Sequence, residues 1–84
     1  MSSYPDIVSE FLNARSLTRL AQMMKALRLR RGLTQAELAA KAQVSRQWLI
    51  ALESKPPAGL EVGRLMRVLD ALDASLYLRD DEVA

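Results

Sequence analysis

Between Arg30 and Lys55 the chain runs RRGLTQAELAAKAQVSRQWLIALESK, and the fold turns on how these residues divide. Thr34 followed three positions later by Glu37 forms a capping box, in which the hydroxyl accepts the amide of residue 37 and the carboxylate reaches back to the amide of the cap. This starts a helix over Gln35–Ala42, about two turns long. Ser45 caps a second helix that continues to about Ser54, with Leu49 and Leu52 facing inward and KPPAG stopping it. Only QVS separates the two helices, too little chain for them to pack independently. The second helix opens with three consecutive polar residues, Ser45, Arg46 and Gln47, so its first turn faces something outside the core.

Toward the N-terminus, Leu17–Arg31 predicts a helix capped by Ser16, with Leu20, Met23, Met24 and Leu27 as the apolar face and Gly32 as the stop. Before it, Tyr4–Ala14 spaces Ile7, Val8, Phe11 and Leu12 as a helical stripe, and Pro5 suits a first helical position, so a short helix is expected there. Toward the C-terminus, Val62–Leu72 carries Leu65, Met66, Val68, Leu69 and Leu72 as its apolar residues, despite Gly63 in the first turn. After Asp73 the period changes to two: SLYLRD alternates through Leu76, Tyr77, Leu78 and Arg79, as a strand does. A lone strand leaves N–H and C=O groups unpaired on both edges. The same strand of a second copy, antiparallel across a two-fold axis, satisfies them and makes Leu76, Tyr77 and Leu78 a dimer contact. The alternative is an extended tail, and the acidic DDEVA end is loose on either reading. The chain thus divides into an N-terminal extension (1–16), a helical domain (17–73), a dimerisation strand (74–79) and an acidic tail (80–84).

A chain of 84 residues is one domain that buries little more than half of the surface its unfolded form exposes. With no cysteine there is no disulfide staple, and with neither Cys nor His the usual zinc and iron ligands are missing. No metal or cofactor is expected, and a second copy becomes the natural source of further core. The opening MSSYPDIVSEF lacks the basic-then-apolar pattern of a secretion signal, and no apolar window approaches the ~20 residues of a membrane span, so a cytoplasmic location with no membrane partner is expected. Without His, Cys or a glycine-rich phosphate loop there is no nucleophile–base pair, so an enzyme is not expected.

The net charge of +2 hides a segregation: from Arg15 to Arg67 eleven Lys or Arg stand against Glu37, Glu53 and Glu61, a balance of +8, whereas Arg79 and seven acids elsewhere give −6. A basic middle suits a polyanion. Two helices joined by a three- or four-residue turn form a helix-turn-helix, whose second helix lies in the DNA major groove with its N-terminal residues against base edges. Arg grips guanine O6 and N7 with two bonds, and Gln does the same with adenine N6 and N7.

LRLRRGLTQAELAAKAQVSRQWLIALE resembles the Xre family, the helix-turn-helix of phage repressors and Cro. With LMRVLDALDASLYLRD following, the chain is most similar to HipB-type antitoxins, the DNA-binding partners of HipA-type kinase toxins; the resemblance covers about Leu17 to Arg79. It implies an all-α, lambda-repressor-like domain of four to five helices with a short C-terminal β-strand pairing across a homodimer. It also implies that Gln35 bonds a phosphate and braces its neighbours, that Ser45 is both cap and phosphate or base contact, and that Arg46 and Gln47 are the main base readers. Ile50 and Ala51 stand further along the same face, where the family often has polar residues; here they touch thymine methyls or stay bystanders. Lys55 follows at the place of a phosphate contact, although a loop lysine is as readily solvated. Trp48 is open to two readings, packing inside the domain or stacking on the sugar-phosphate edge. Arg28 and Glu53 match a family pair that bridges the first helix and the end of the recognition helix. The turn residue that is typically Gly is here Gln43, and a left-handed backbone there costs about 1 kcal/mol.

The function implied is a sequence-specific, homodimeric transcriptional repressor on palindromic double-stranded DNA, serving as the antitoxin of a toxin–antitoxin module that represses its own operon and holds a HipA-like kinase. A free-standing Xre-type repressor or a restriction–modification controller fits the same motif. A protein-binding adaptor fits less well, because it calls for an apolar recognition face where this chain has Ser45, Arg46 and Gln47.

Overall fold

A computed structural model of the chain describes residues 14–82. Within them lie four helices and no strand: α1 (Leu17–Arg30), α2 (Gln35–Ala42), α3 (Arg46–Ser54) and α4 (Val62–Ala71). The helix expected over Tyr4–Ala14 falls, apart from the non-helical Ala14, outside the described residues. Among the described residues no helix is long and apolar enough to cross a membrane.

Each helix starts on a side chain that takes an otherwise orphaned amide. Ser16 Oγ accepts the Arg19 amide at 3.1 Å, Ser45 Oγ the Trp48 amide at 3.0 Å, and Glu61 Oε1 the Arg64 amide at 2.7 Å. At α2 the box is reciprocal, with the Glu37 amide donating to Thr34 Oγ1 at 3.0 Å and the Thr34 amide to Glu37 Oε1 at 2.8 Å. The Thr34 amide, and then its hydroxyl, favour the charged carboxylate and hold Glu37 below the usual glutamate range. The stops are equally local. Gly32 takes φ +71° beyond α1, and the Leu33 amide donates back to Arg28 O at 3.1 Å.

Every helix contributes to a single core: Ala21 and Met24 from α1, Leu38, Ala39 and Ala42 from α2, Leu49 and Leu52 from α3, and Leu65, Val68 and Leu69 from α4, closed by Leu72. Helices α2 and α3 form the centre, since α2 packs on both α3 and α4 while α3 also packs on α1. On α1 the expected face does meet the core, with Met24 buried and Leu20 and Leu27 packed half-buried against it; Ala21 and Arg28 are buried as well, and Met23 is half-buried. The expected face of α4 is corrected at one position. On α4 the stripe Leu65, Val68, Leu69 and Leu72 takes the core at i, i+3, i+4 and i+7, which turns Met66 about a quarter-turn away and leaves it 47% exposed.

The strand expected at 74–79 is absent from the single chain: residues 74–80 are neither helix nor strand. A β-ladder needs a second strand, and the described residues supply none. Leu76, Tyr77 and Leu78 consequently lie 49%, 70% and 100% exposed.

Gln43 ends α2 in the left-handed region, at φ 57° and ψ 44°, while the Val44 amide donates to Ala39 O at 3.0 Å. A Cβ is disfavoured in that conformation, and the Gln43 side chain is exposed. Gln43→Gly is therefore expected to stabilise the domain by about 1 kcal/mol, read as a higher urea midpoint at constant slope. A lower midpoint would contradict this account of the turn.

Candidate nucleic-acid interface

Helix α3 is anchored along one side and open along the other. Leu49 and Leu52 are buried, and Trp48 packs against the core with the Arg64 guanidinium 5.8 Å from its ring centroid, within cation–π range. Opposite them Arg46, Gln47, Ala51 and Ser54 are exposed and Ile50 is half-buried, with Lys55 exposed just beyond the helix. The repeat of 3.6 residues places Arg46 and Ile50, and Gln47 and Ala51, one turn apart on this open side. By the geometry of a helix start, the first-turn amides of Arg46 and Gln47 have no intrahelical acceptor; they carry the positive end of the helix dipole toward the same side. Ser45 is committed as cap through the Trp48 amide, and its hydroxyl proton remains available to an outside acceptor.

What sets the pose of α3 against α1 and α2 is a buried polar junction. Arg28 Nε donates to Glu53 Oε2 at 2.7 Å and Arg28 Nη2 to Glu53 Oε1 at 3.0 Å, a two-pronged pair whose side chains are 8% and 2% exposed. The remaining arm, Arg28 Nη1, donates to Leu33 O at 2.8 Å. Gln35 Nε2 donates to Glu53 Oε1 at 3.0 Å, so the residue that opens α2 is braced on the residue that closes α3. Gln35 is half-buried there. With one Nε2 hydrogen held, its second Nε2 hydrogen and its amide oxygen, together with the free amides of the α2 first turn, are what this end of α2 can show a ligand.

Three arginines have roles that no local sequence pattern shows. Arg31 Nε donates to Leu72 O at 2.9 Å and its Nη2 approaches Asp73 O at 3.5 Å, tying the end of α1 to the end of α4. Arg67 Nε donates to Ala42 O at 3.2 Å, so α4 caps the C-terminus of α2. Arg64 lies on Trp48 and near Glu61 at 3.8 Å. A cation against terminal carbonyls is a general helix-ending device, yet which helix end it finds depends on the packing. Of these three and Arg28, only Arg28 is buried, and its charge is matched by Glu53. On the open side of α3 it is Arg46 and Lys55 that stand exposed.

The "Helix-turn-helix" family model matches residues 24–78. Among solved structures, the chain is similar to HipB in a HipA–HipB–O2–O3 complex, with 31% identity, a TM-score of 0.77, and coverage of 84% of this chain and 99% of the other. HipB in complex with an O4 20-mer gives the same figures. HipB in an O1–O2 complex is 31% identical at a TM-score of 0.76, covering 83% of this chain and 100% of the other. Among curated proteins none matches.

A buried ion pair resists the loss of one partner far more than the loss of both. Arg28→Met leaves Glu53 and its Gln35 bond facing an uncompensated charge, and is expected to cost about 3 kcal/mol or more in urea unfolding. The double variant Arg28→Met, Glu53→Leu should recover much of that loss. Equal destabilisation by the single and double variants would show that the junction acts by packing alone.

Proposed function

Because the chain belongs to the Xre-type helix-turn-helix family, we propose that it is a dimeric repressor that reads DNA with the first turn of α3 and serves as a HipB-like antitoxin. The observation that carries this reading is the division of α3, with Leu49 and Leu52 sealed in the core and Arg46 and Gln47 exposed over their full turn. Inserted into a major groove, Arg46 supplies two donors to guanine O6 and N7, and Gln47 a donor and an acceptor to adenine N7 and N6. Ser45, Gln35 and the free first-turn amides of both motif helices meet the flanking phosphates, as helix N-termini do, and Lys55 adds charge at the far end of α3.

A single copy reads too short a site for a repressor, and the exposed run Leu76–Leu78 supplies the means of pairing. Joined across a two-fold axis, two copies present α3 helices about 34 Å apart to successive major grooves of a palindrome. The same pairing would turn the two-residue alternation of 74–79 into a β-ladder. The likeness to HipB, one of whose structures includes HipA, supports a kinase partner for this chain, docked away from α3. A free-standing repressor or restriction–modification controller would share all of these features except that partner, and co-purification of a kinase-sized protein from the native host separates them.

Arg46→Ala is expected to bring operator and random-duplex affinities within about tenfold of one another, through loss of one bidentate base contact worth about 1–3 kcal/mol per half-site. Lys55→Ala should weaken both by a similar factor and make the logarithmic salt dependence shallower by about one unit per subunit. An undiminished operator preference in Arg46→Ala, measured by fluorescence anisotropy, rules out Arg46 as a base reader.

Pairing through the tail predicts that Leu78→Asp sediments as a monomer while keeping the helical circular dichroism of the parent. A monomeric parent, or a variant that still sediments as a dimer, removes the tail from the interface.

A further inference from the structure

The arginines packed around α3 differ in what holds them. Arg28 spends its guanidinium on Glu53 and Leu33 O, Arg31 donates to Leu72 O, and Arg67 donates to Ala42 O. Arg64 is held in another way, with its guanidinium over the Trp48 ring, 5.8 Å from the centroid. Its ion-pair partner, Glu61 Oε1, is 3.8 Å from Arg64 Nε, beyond hydrogen-bond reach, and already accepts the Arg64 amide at 2.7 Å. Among the described residues no acceptor takes a hydrogen bond from the Arg64 side chain, which is 49% exposed. A ring face fixes a guanidinium through its charge and leaves the N–H donors along its edge unspent.

Trp48 is the third residue of α3 and shares its first turn with Arg46 and Gln47. The helical repeat sets it on the flank between the open side and the buried Leu49 and Leu52, and the residue is half-buried there. A helix about 10–12 Å across fills a major groove about 12 Å wide, so the flanks of an inserted first turn lie beside the sugar–phosphate walls. A cation on such a flank meets phosphate. An unrestrained arginine loses rotamer freedom when it binds, whereas one pinned to a ring has lost it already on folding. Resting on the reading of α3 as the recognition helix, we propose that Arg64 is a DNA-phosphate ligand supplied by α4, and that Trp48 is the platform that positions it at the groove wall. The guanidinium edge offers a phosphate two parallel N–H bonds. Trp48 then serves the core, against which it packs, and the DNA contact, without itself bonding DNA.

The test is binding of the full chain to a selected operator and to random duplex, read by fluorescence anisotropy across a salt series. Arg64→Ala is expected to weaken both by about eightfold per subunit in about 0.1 M salt, and to make the logarithmic salt dependence shallower by about one unit per subunit. The ratio of the two affinities should hold, because a phosphate carries no sequence information. Arg64→Lys keeps the charge and should keep the slope. Trp48→Leu should weaken binding severalfold, Trp48→Phe, which retains a ring, should bind as the parent does, and Arg64→Ala should cost less in the Trp48→Leu background than in the parent. Loss of core packing alone predicts no such coupling. An unchanged salt slope in Arg64→Ala overturns the inference, as do equal losses from Arg64→Ala with and without the ring; both leave DNA reading by α3 standing wherever Arg46→Ala still erodes operator preference. A parent chain that binds no duplex overturns both.

Discussion

One guanidinium holds the motif together. Arg28 uses its three nitrogens to reach Glu53 at the end of α3 and Leu33 O at the entrance to α2, and Gln35 closes the circuit on the same carboxylate. Two helices of eight and nine residues are too short to persist alone in water. Apolar contacts hold them to the core but are non-directional. The junction adds direction, because a planar fork meets a carboxylate in one arrangement. It lies at the far end of α3 from Arg46, so a rigid nine-residue helix carries its alignment to the first turn.

The same logic explains the arginines that bond to backbone carbonyls. Residues at helix ends leave carbonyls without partners, and a small domain has many helix ends for its size. Arg31 and Arg67 place cations on those carbonyls, at Leu72 and Ala42, and so tie α1 to α4 and α4 to α2 without enlarging the core. Both keep their charge while they are held to the backbone, and both side chains remain exposed. Arg46 is exposed on the open side of α3, and Arg64 lies over the Trp48 ring.

A second constraint is the shortage of core. The apolar side chains of four short helices close on each other, yet Leu78 remains fully exposed and Leu76 and Tyr77 largely so. Met66 and Val62 add apolar surface on the outer side of α4, at 47% and 62% exposure. A chain of this size gains more from covering such residues with a second copy than from any rearrangement within itself. The reading of the function as dimeric draws on that surplus as much as on the symmetry of an operator.

Local chemistry made much of this legible in the sequence. The capping box at Thr34 and Glu37, the Ser16 and Ser45 caps and the Gly32 stop each act within four residues, so the helices and their ends follow from neighbours along the chain. The inward side of α3 is equally local, because Leu49 and Leu52 are one turn apart, Gln47 falls opposite them and Arg46 flanks them. Only packing decided the rest. The burial of Arg28 beside Ala21 and Met24, the turning-out of Met66, and the destinations of Arg31, Arg64 and Arg67 depend on residues 25 or more positions away or on another helix's surface. The strand pattern of 74–79 marks the opposite limit: alternation sets which side chains share a face, but hydrogen bonds form only when a second backbone is there to receive them. Periodicity and capping are properties of a segment, and the sequence states them directly; the partner of a long charged side chain is a property of three-dimensional proximity, which emerges only when the segments meet.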